Sequence, residues 1–233
     1  MRWLLALIIV TTWSPDAAGQ TTHLELKWMR DSEEYRAIFL QTYHAAGEQV
    51  TRQAGALPRN TVWAVALDLD ETVLDNIFYQ FERAAYAAPF DTASWNAWVR
   101  RAEAPALPGV AEFIALVRGL GGRVAWISNR DAVTASETRA NMVALGLWND
   151  QDRLCLQINR EHTKRQRRTE LRTGEGGCGW AGQPARVLAH LGDNIHDMPE
   201  MGEEAGEYGV NFFLLPNPSY GSWERAVTRR PSR

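Results

Sequence analysis

Cysteine is nearly absent from this chain: Cys155 and Cys178 are the only two in 233 residues. So few thiols exclude a disulfide-dense scaffold. In an oxidising compartment the two could pair, but Cys155 lies in an apolar strand-like run and Cys178 in a glycine-rich loop, so the pairing stays open. Neither lies near the N-terminus, which leaves no cysteine for a lipid anchor there. Charge of one sign is also scarce. A formal net charge of −3 gives no electrostatic footprint for a nucleic acid polymer or an anionic membrane. No apolar run approaches the roughly 20 residues that a membrane-spanning helix needs, and there are no internal repeats.

The start of the chain carries a different signal. Met1-Arg2 precede an apolar run from Trp3 to Val10, followed by the small and polar stretch "SPDAAGQ". A short positive region, a short apolar core and a small-residue exit make a secretory signal peptide. Residues 1–19 are therefore read as a leader, and the mature chain as exported to the periplasm or secreted.

The remaining residues, 20–233, are read as one domain, since 45% apolar residues supply an ample core. Residues 24–58 form a helical N-terminal region. Within it, 32–50 is amphipathic, with Asp31 and Glu34 placed to cap it. After Pro58, short apolar runs at 62–67, 123–127, 154–158, 186–191 and 211–215 alternate with helical patterns near 110–117, 133–145, 163–172 and 197–205. Near-continuous apolar strands alternating with helices predict an α/β fold, a doubly wound parallel five-stranded sheet. Its core spans about 61–75 and 108–225. Residues 76–107 interrupt the rhythm with many aromatics, among them Trp95 and Trp98, and are read as a small, mainly helical cap. The glycine-rich 172–183 is a loop, and "VTRRPSR" at the C-terminus a solvated basic tail.

Ligands of such sheets bind outside the carboxyl ends of the strands. There the first strand ends in Asp68-Leu-Asp70, the second in Ser128-Asn129-Arg130 and the fourth in Gly192-Asp193 through Asp197, while Lys164 comes soon after the third. Four acids facing one lysine call for a positive partner. Oxygen donors without histidine or cysteine favour Mg²⁺ over Zn²⁺, while a hydroxyl and an ammonium suit a phosphate. One aspartate of the Asp-x-Asp pair can attack as nucleophile, and the other can protonate the leaving oxygen and then activate water. Glu71 and Asp75 are read as structural, accepting hydrogen bonds around the loop.

"DLDETVLDN", "ISNR", Lys164 in "TKRQRR" and "GDNIHDM" resemble, in order and spacing, the four motifs of haloacid dehalogenase-like (HAD) phosphatases. The chain is most similar to the class C acid phosphatases, bacterial secreted or outer-membrane enzymes that include 5′-nucleotidases. "WMRDSEEYRAIFLQTYHAA", "WNAWV", "PGVAEF" and "LPNPSYGSWE" point the same way, and the resemblance covers about residues 24–225. It implies Asp68 as nucleophile and Asp70 as general acid and base. Ser128, Asn129 and Lys164 would hold phosphate. Mg²⁺ would be held by Asp68, by the Asp70 backbone carbonyl and by Asp193, with Asp197 in support. It also implies aromatics that sandwich a nucleobase, for which Trp95, Trp98 and Tyr220 are the candidates.

The expected function is an exported Mg²⁺-dependent acid phosphatase acting on small phosphate monoesters, 5′-nucleotides among them. The alternative is an exported nucleotide- or haem-binding protein on a phosphatase scaffold, which the four filled motif positions disfavour. A dehalogenase has no need of Asp70. A signalling receiver is about half as long and lacks a cap.

Overall fold

A computed structural model describes residues 23–200 and 202–225. The leader read at 1–19 and the basic tail at 227–233 lie outside the described residues. The chain opens with α1 (Leu24–Asp31) and α2 (Glu33–Gly55), then enters the sheet through β1 (Trp63–Leu67). The cap helices α3 (Ile77–Ala85) and α4 (Thr92–Arg101) follow. The core then continues with α5 (Val110–Gly119), β2 (Arg123–Asp131), α6 (Ala135–Ala144), β3 (Arg153–Gln157), α7 (Lys164–Thr173), β4 (Arg186–Gly192) and β5 (Phe212–Leu214). The strands pair in the order β3-β2-β1-β4-β5, all parallel. The strand order reverses at β1, so the switch point lies between β1 and β4.

Alternation along the central strands explains how the two faces are covered. Val65, Leu67, Val124 and Trp126 point into the larger cluster with Phe39 and Val50 of α2, Phe113 and Ile114 of α5 and Met142 of α6. Ala64, Ala66, Ala125 and Ile127 point the other way, toward Leu171 of α7, Cys178 and Trp180. The three alanines leave room for α7 to lie close to the sheet, and its first residue, Lys164, comes to the strand mouths. Each large side chain buried here contributes about 1.5–3 kcal/mol.

Two sequence expectations are corrected. Asp31 does not cap α2: it is the last residue of α1, and the Ser32 hydroxyl accepts the Tyr35 N–H at 3.1 Å instead. Serine, with a shorter side chain and extended backbone, makes the better cap. The helix expected near 197–205 is only a 3₁₀ turn, Ile195–Asp197. Pro199 holds Met198 extended (ψ 148°) and Gly202 is left-handed (φ 85°), so a helix cannot propagate. β2 runs to Asp131, so Ser128-Asn129-Arg130 stand at its carboxyl end, as expected.

The cap is braced at both stems, by Asp75 N–H to the Pro105 carbonyl and Leu107 N–H to the Val73 carbonyl, each 2.9 Å. From the other side α2 reaches the same loop, where the buried Tyr43 hydroxyl donates to the Thr72 carbonyl at 2.8 Å. Tyr43→Phe leaves that carbonyl without its partner in a dry environment, which costs about 1–2 kcal/mol. Denaturant and thermal unfolding should show this loss, with Tm lower by roughly 2–8 °C for a domain of this size.

Candidate active site

The loop after β1 is wound around one carbonyl. Leu69 C=O accepts the N–H groups of Val73 and Leu74, both at 2.8 Å. Glu71 takes a left-handed conformation (φ 53°) to permit the turn. A non-glycine residue there costs on the order of 1–3 kcal/mol, and the side chain offsets part of it by accepting the Asn76 N–H at 3.0 Å. Asp75 accepts the Ile77 N–H at 2.9 Å and thereby starts α3. Both acids serve the loop, in agreement with the structural role read from the sequence.

Asp68, the first residue beyond β1, still donates its N–H to Leu191 of β4 at 2.9 Å. This fixes its carboxylate across the switch point from the β4 loop. Carboxylate oxygens of Asp68, Asp193 and Asp197 lie within 4.8 Å of one another. Lys164 bridges Asp68 and Asp197 through its ammonium. Asp193 is held by Asn217 Nδ2 at 2.8 Å and by the Thr72 hydroxyl at 3.4 Å. Asp197 Oδ2 accepts the Asn194 N–H at 2.8 Å. Glycine at 192 is required for that return, because a Cβ there would sit 2.3 Å from the Asp197 side chain.

Asp70 faces a different neighbour. The buried Arg130 guanidinium grips its carboxylate through Nη2 at 2.8 Å and Nε at 2.9 Å. Ser128 Oγ donates to the second oxygen at 3.2 Å while accepting the Arg130 N–H at 3.1 Å. Asn76 Nδ2 adds a bond at 3.1 Å. Asn129 is exposed, and its side-chain carbonyl accepts from Arg167 at 2.6 Å. Arg167 and Arg168 are buried, not part of a solvated basic face. Arg167 also donates to the backbone carbonyls of Ser128 and Cys155, and Arg168 pairs with Glu203 at 2.7 Å. They fasten α7 to the strand ends, leaving Lys164 as the cation that faces the acids.

The aromatic candidates separate. Trp98 is buried in the cap interior, stacks on Tyr79 and donates its indole N–H to Asn76 Oδ1 at 2.8 Å. Trp95 is half-buried, edge-on to Tyr79, with the Arg130 guanidinium 5.7 Å from its ring. Tyr220 is half-buried in the loop after β5, the loop whose Asn217 holds Asp193.

Electrostatically the cluster is unbalanced. Three carboxylates face one ammonium, so two negative charges lack a partner. Burial followed by the Asp197 charge pushes the Asp193 carboxyl up to about 7. Burial likewise drives Asp68 up, against the pull of Lys164. For Lys164 burial works downward, but Asp68 and Asp197 outweigh it and its pKa stands above the ordinary lysine value. An all-oxygen donor set with two uncompensated charges fits a hard divalent cation. Sequence reasoning had placed Arg130 on the rim without a role and had missed Thr72, Asn76 and Asn217. The signal for Asn217 was its position just past the fifth apolar run.

A five-stranded parallel sheet in this order, with acids after β1 and β4 and a lysine from the preceding helix, is the HAD-like arrangement. Residues 6–223 match the model of the HAD superfamily, subfamily IIIB (Acid phosphatase), and the chain belongs to that family. Phosphatases of this superfamily generally use a divalent metal. The fold is similar to the class C acid phosphatase from Bacillus anthracis: TM-score 0.72, 25% identity, over 86% of this chain and 85% of that one. The same Bacillus anthracis enzyme with tungstate bound gives TM-score 0.71 and 27% identity, with the same coverage. Among plant proteins, acid phosphatase 1 of Solanum lycopersicum is 27% identical over 164 residues, 68% of this chain and 58% of that protein. The stem 31 kDa glycoprotein of Glycine max is 28% identical over 158 residues, 65% of this chain and 57% of that protein. The chain thus spans less than three-fifths of the length of these two relatives. Among the described residues no helix is long and apolar enough to cross a membrane.

The raised Asp193 carboxyl has a testable consequence. Between its ordinary 3.8 and about 7 the metal-free fold binds a proton that the unfolded chain does not hold. The bound proton gives ∂ΔG/∂pH a negative sign, so this group's contribution to stability falls as pH rises through that window. A divalent cation occupies the deprotonated site and restores stability at the upper end. Thermal unfolding at a series of pH values should show a Tm gain from Mg²⁺ that grows from pH 5 to pH 8 and disappears in Asp193→Asn.

Proposed function

We propose that this chain is an exported Mg²⁺-dependent acid phosphatase that hydrolyses small phosphate monoesters, with 5′-nucleotides as a preferred class. The observation that carries this reading is the meeting of Asp68 with Lys164, Asp193 and Asp197, beside an Asp70 held ready by Arg130 and Ser128. The N-terminal pattern supports export.

In this reading Asp68 and Asp193 hold Mg²⁺ together with the Asp70 backbone carbonyl, and Asp197 supports through Lys164. When bound, the ion neutralises the charge of the transferring phosphoryl group and restrains the two acids. Lys164 supplies an ammonium to the phosphoryl oxygens, and Ser128 and Asn129 supply hydrogen-bond donors. Lys164 engages one oxygen of Asp68, and the other attacks phosphorus in line while the ester P–O bond breaks. Asp70, released from Arg130 by rotation of its side chain, takes a proton from solvent as it loses that counter-charge and gives it to the departing oxygen. It then takes a proton from the water that attacks the aspartyl phosphate, so that phosphate leaves and both aspartates return to their starting forms.

Asp68→Asn keeps size and shape but removes the nucleophile. Phosphate release from 5′- and 3′-nucleotides, sugar phosphates and aryl phosphates should fall by at least about 10³-fold. Parent-like turnover in this variant would end the proposal. Excess chelator should abolish activity and Mg²⁺ restore it; an unchanged rate in chelator would remove the ion from the mechanism.

Trp95 and Tyr220 are the residues proposed to flank the base, with Trp98 left to the cap interior. Stacking contributes about 1–3 kcal/mol per base. Trp95→Ala should therefore raise KM for a 5′-nucleotide roughly tenfold or more, while KM for a small alkyl phosphate stays within about twofold.

A further inference from the structure

Among the described residues a second group of metal-competent side chains lies where α7 meets the glycine-rich loop. Ligand atoms of His162, Glu170 and Cys178 lie within 4.8 Å of one another. His162 Nε2 is 3.2 Å from Glu170 Oε1, and Glu170 Oε2 accepts the Cys178 N–H at 3.0 Å. The carboxylate is thereby oriented from both sides. His162 Nδ1 is buried and has no hydrogen-bond partner. The His162 side chain is 12% exposed and that of Glu170 21%, so the group is sheltered but reachable.

The loop is wound tightly enough to bring Cys178 back onto α7. Gly174 ends the helix in a left-handed conformation (φ 78°), and its carbonyl accepts the Gly182 N–H at 2.8 Å. At Gly176 (φ 67°) a Cβ would meet the Glu170 side chain at 2.4 Å. Cys178 shares its apolar cluster with Cys155 of β3.

We propose that His162, Glu170 and Cys178 bind a borderline-soft divalent ion, Zn²⁺ by chemistry, with solvent completing the set. Imidazole nitrogen, carboxylate oxygen and thiolate sulfur together select a transition ion over Mg²⁺ or Ca²⁺, unlike the all-oxygen set of the active site. Binding exchanges the Cys178 thiol proton for the metal, releases that proton to water and changes no oxidation state. The ion ties the loop at 174–183 to the helix whose first residue is Lys164.

The test uses the full chain, reduced with a phosphine, stripped by chelator and titrated with Co²⁺. One equivalent should produce a thiolate-to-cobalt charge-transfer band in the near ultraviolet, and Zn²⁺ should displace it. Cys178→Ser should lose the band, and both Cys178→Ser and His162→Ala should weaken Zn²⁺ binding at least about tenfold. Asp193→Asn, which alters the all-oxygen cluster alone, should retain the band. Absence of the band in the parent protein would overturn the proposal. So would a band that survives Cys178→Ser.

Discussion

Three carboxylates, two of them buried and Asp193 half-buried, are pressed together at the mouth of a parallel sheet with one ammonium among them, and they repel one another strongly. Much of the surrounding structure can be understood as what holds that repulsion in place. Asn217 and the Thr72 hydroxyl fix Asp193, and the Asn194 N–H fixes Asp197. Gly192 leaves the space that Asp197 fills, and Tyr43 anchors the residue that carries the Thr72 hydroxyl. The alanine face of β1 and β2 lets α7 approach, which brings Lys164 to the acids. A site held this way is pre-organised for a cation, at a cost in stability that the empty fold carries alone.

Asp70 is handled by a separate device. Arg130 neutralises it, and the Trp95 ring lies beside that guanidinium. Trp98 reaches the same carboxylate through Asn76. The cap and Asp70 are therefore mechanically connected: a ligand that shifts Trp95 also disturbs the group that holds Asp70. This gives the cap a route from substrate contact to chemistry without a large domain movement.

Much of this was legible in the sequence because the signals were local. Apolar runs marked all five strands, and the acids and lysine followed them at their carboxyl ends. The fold, and the family that the motifs resemble, could be read on that basis. What stayed hidden depended on direction. Arg167 and Arg168 sit three and four residues after Lys164, on the helix face that also carries the buried Leu171, and that spacing should have marked them as inward. Arg130 lies two residues after Ser128, but only the partner across the sheet mouth explains its burial. Trp95 and Trp98 are one helical turn apart, and their different roles follow from what packs on α4, which one sequence does not contain. The helix expected near 197–205 failed because Pro199 and Gly202 outweighed a weak periodic pattern.

The central claim is that Asp68 carries the phosphoryl group during turnover. The most direct measurement is peptide mass spectrometry on protein quenched in acid while hydrolysing a phosphate monoester in Mg²⁺. The account predicts phosphate on the peptide that contains Asp68, and none in protein incubated without substrate or in Asp68→Asn. Sustained phosphate release with no phosphorylated Asp68 peptide at any quench time, and with the rate unchanged in Asp68→Asn, would contradict it.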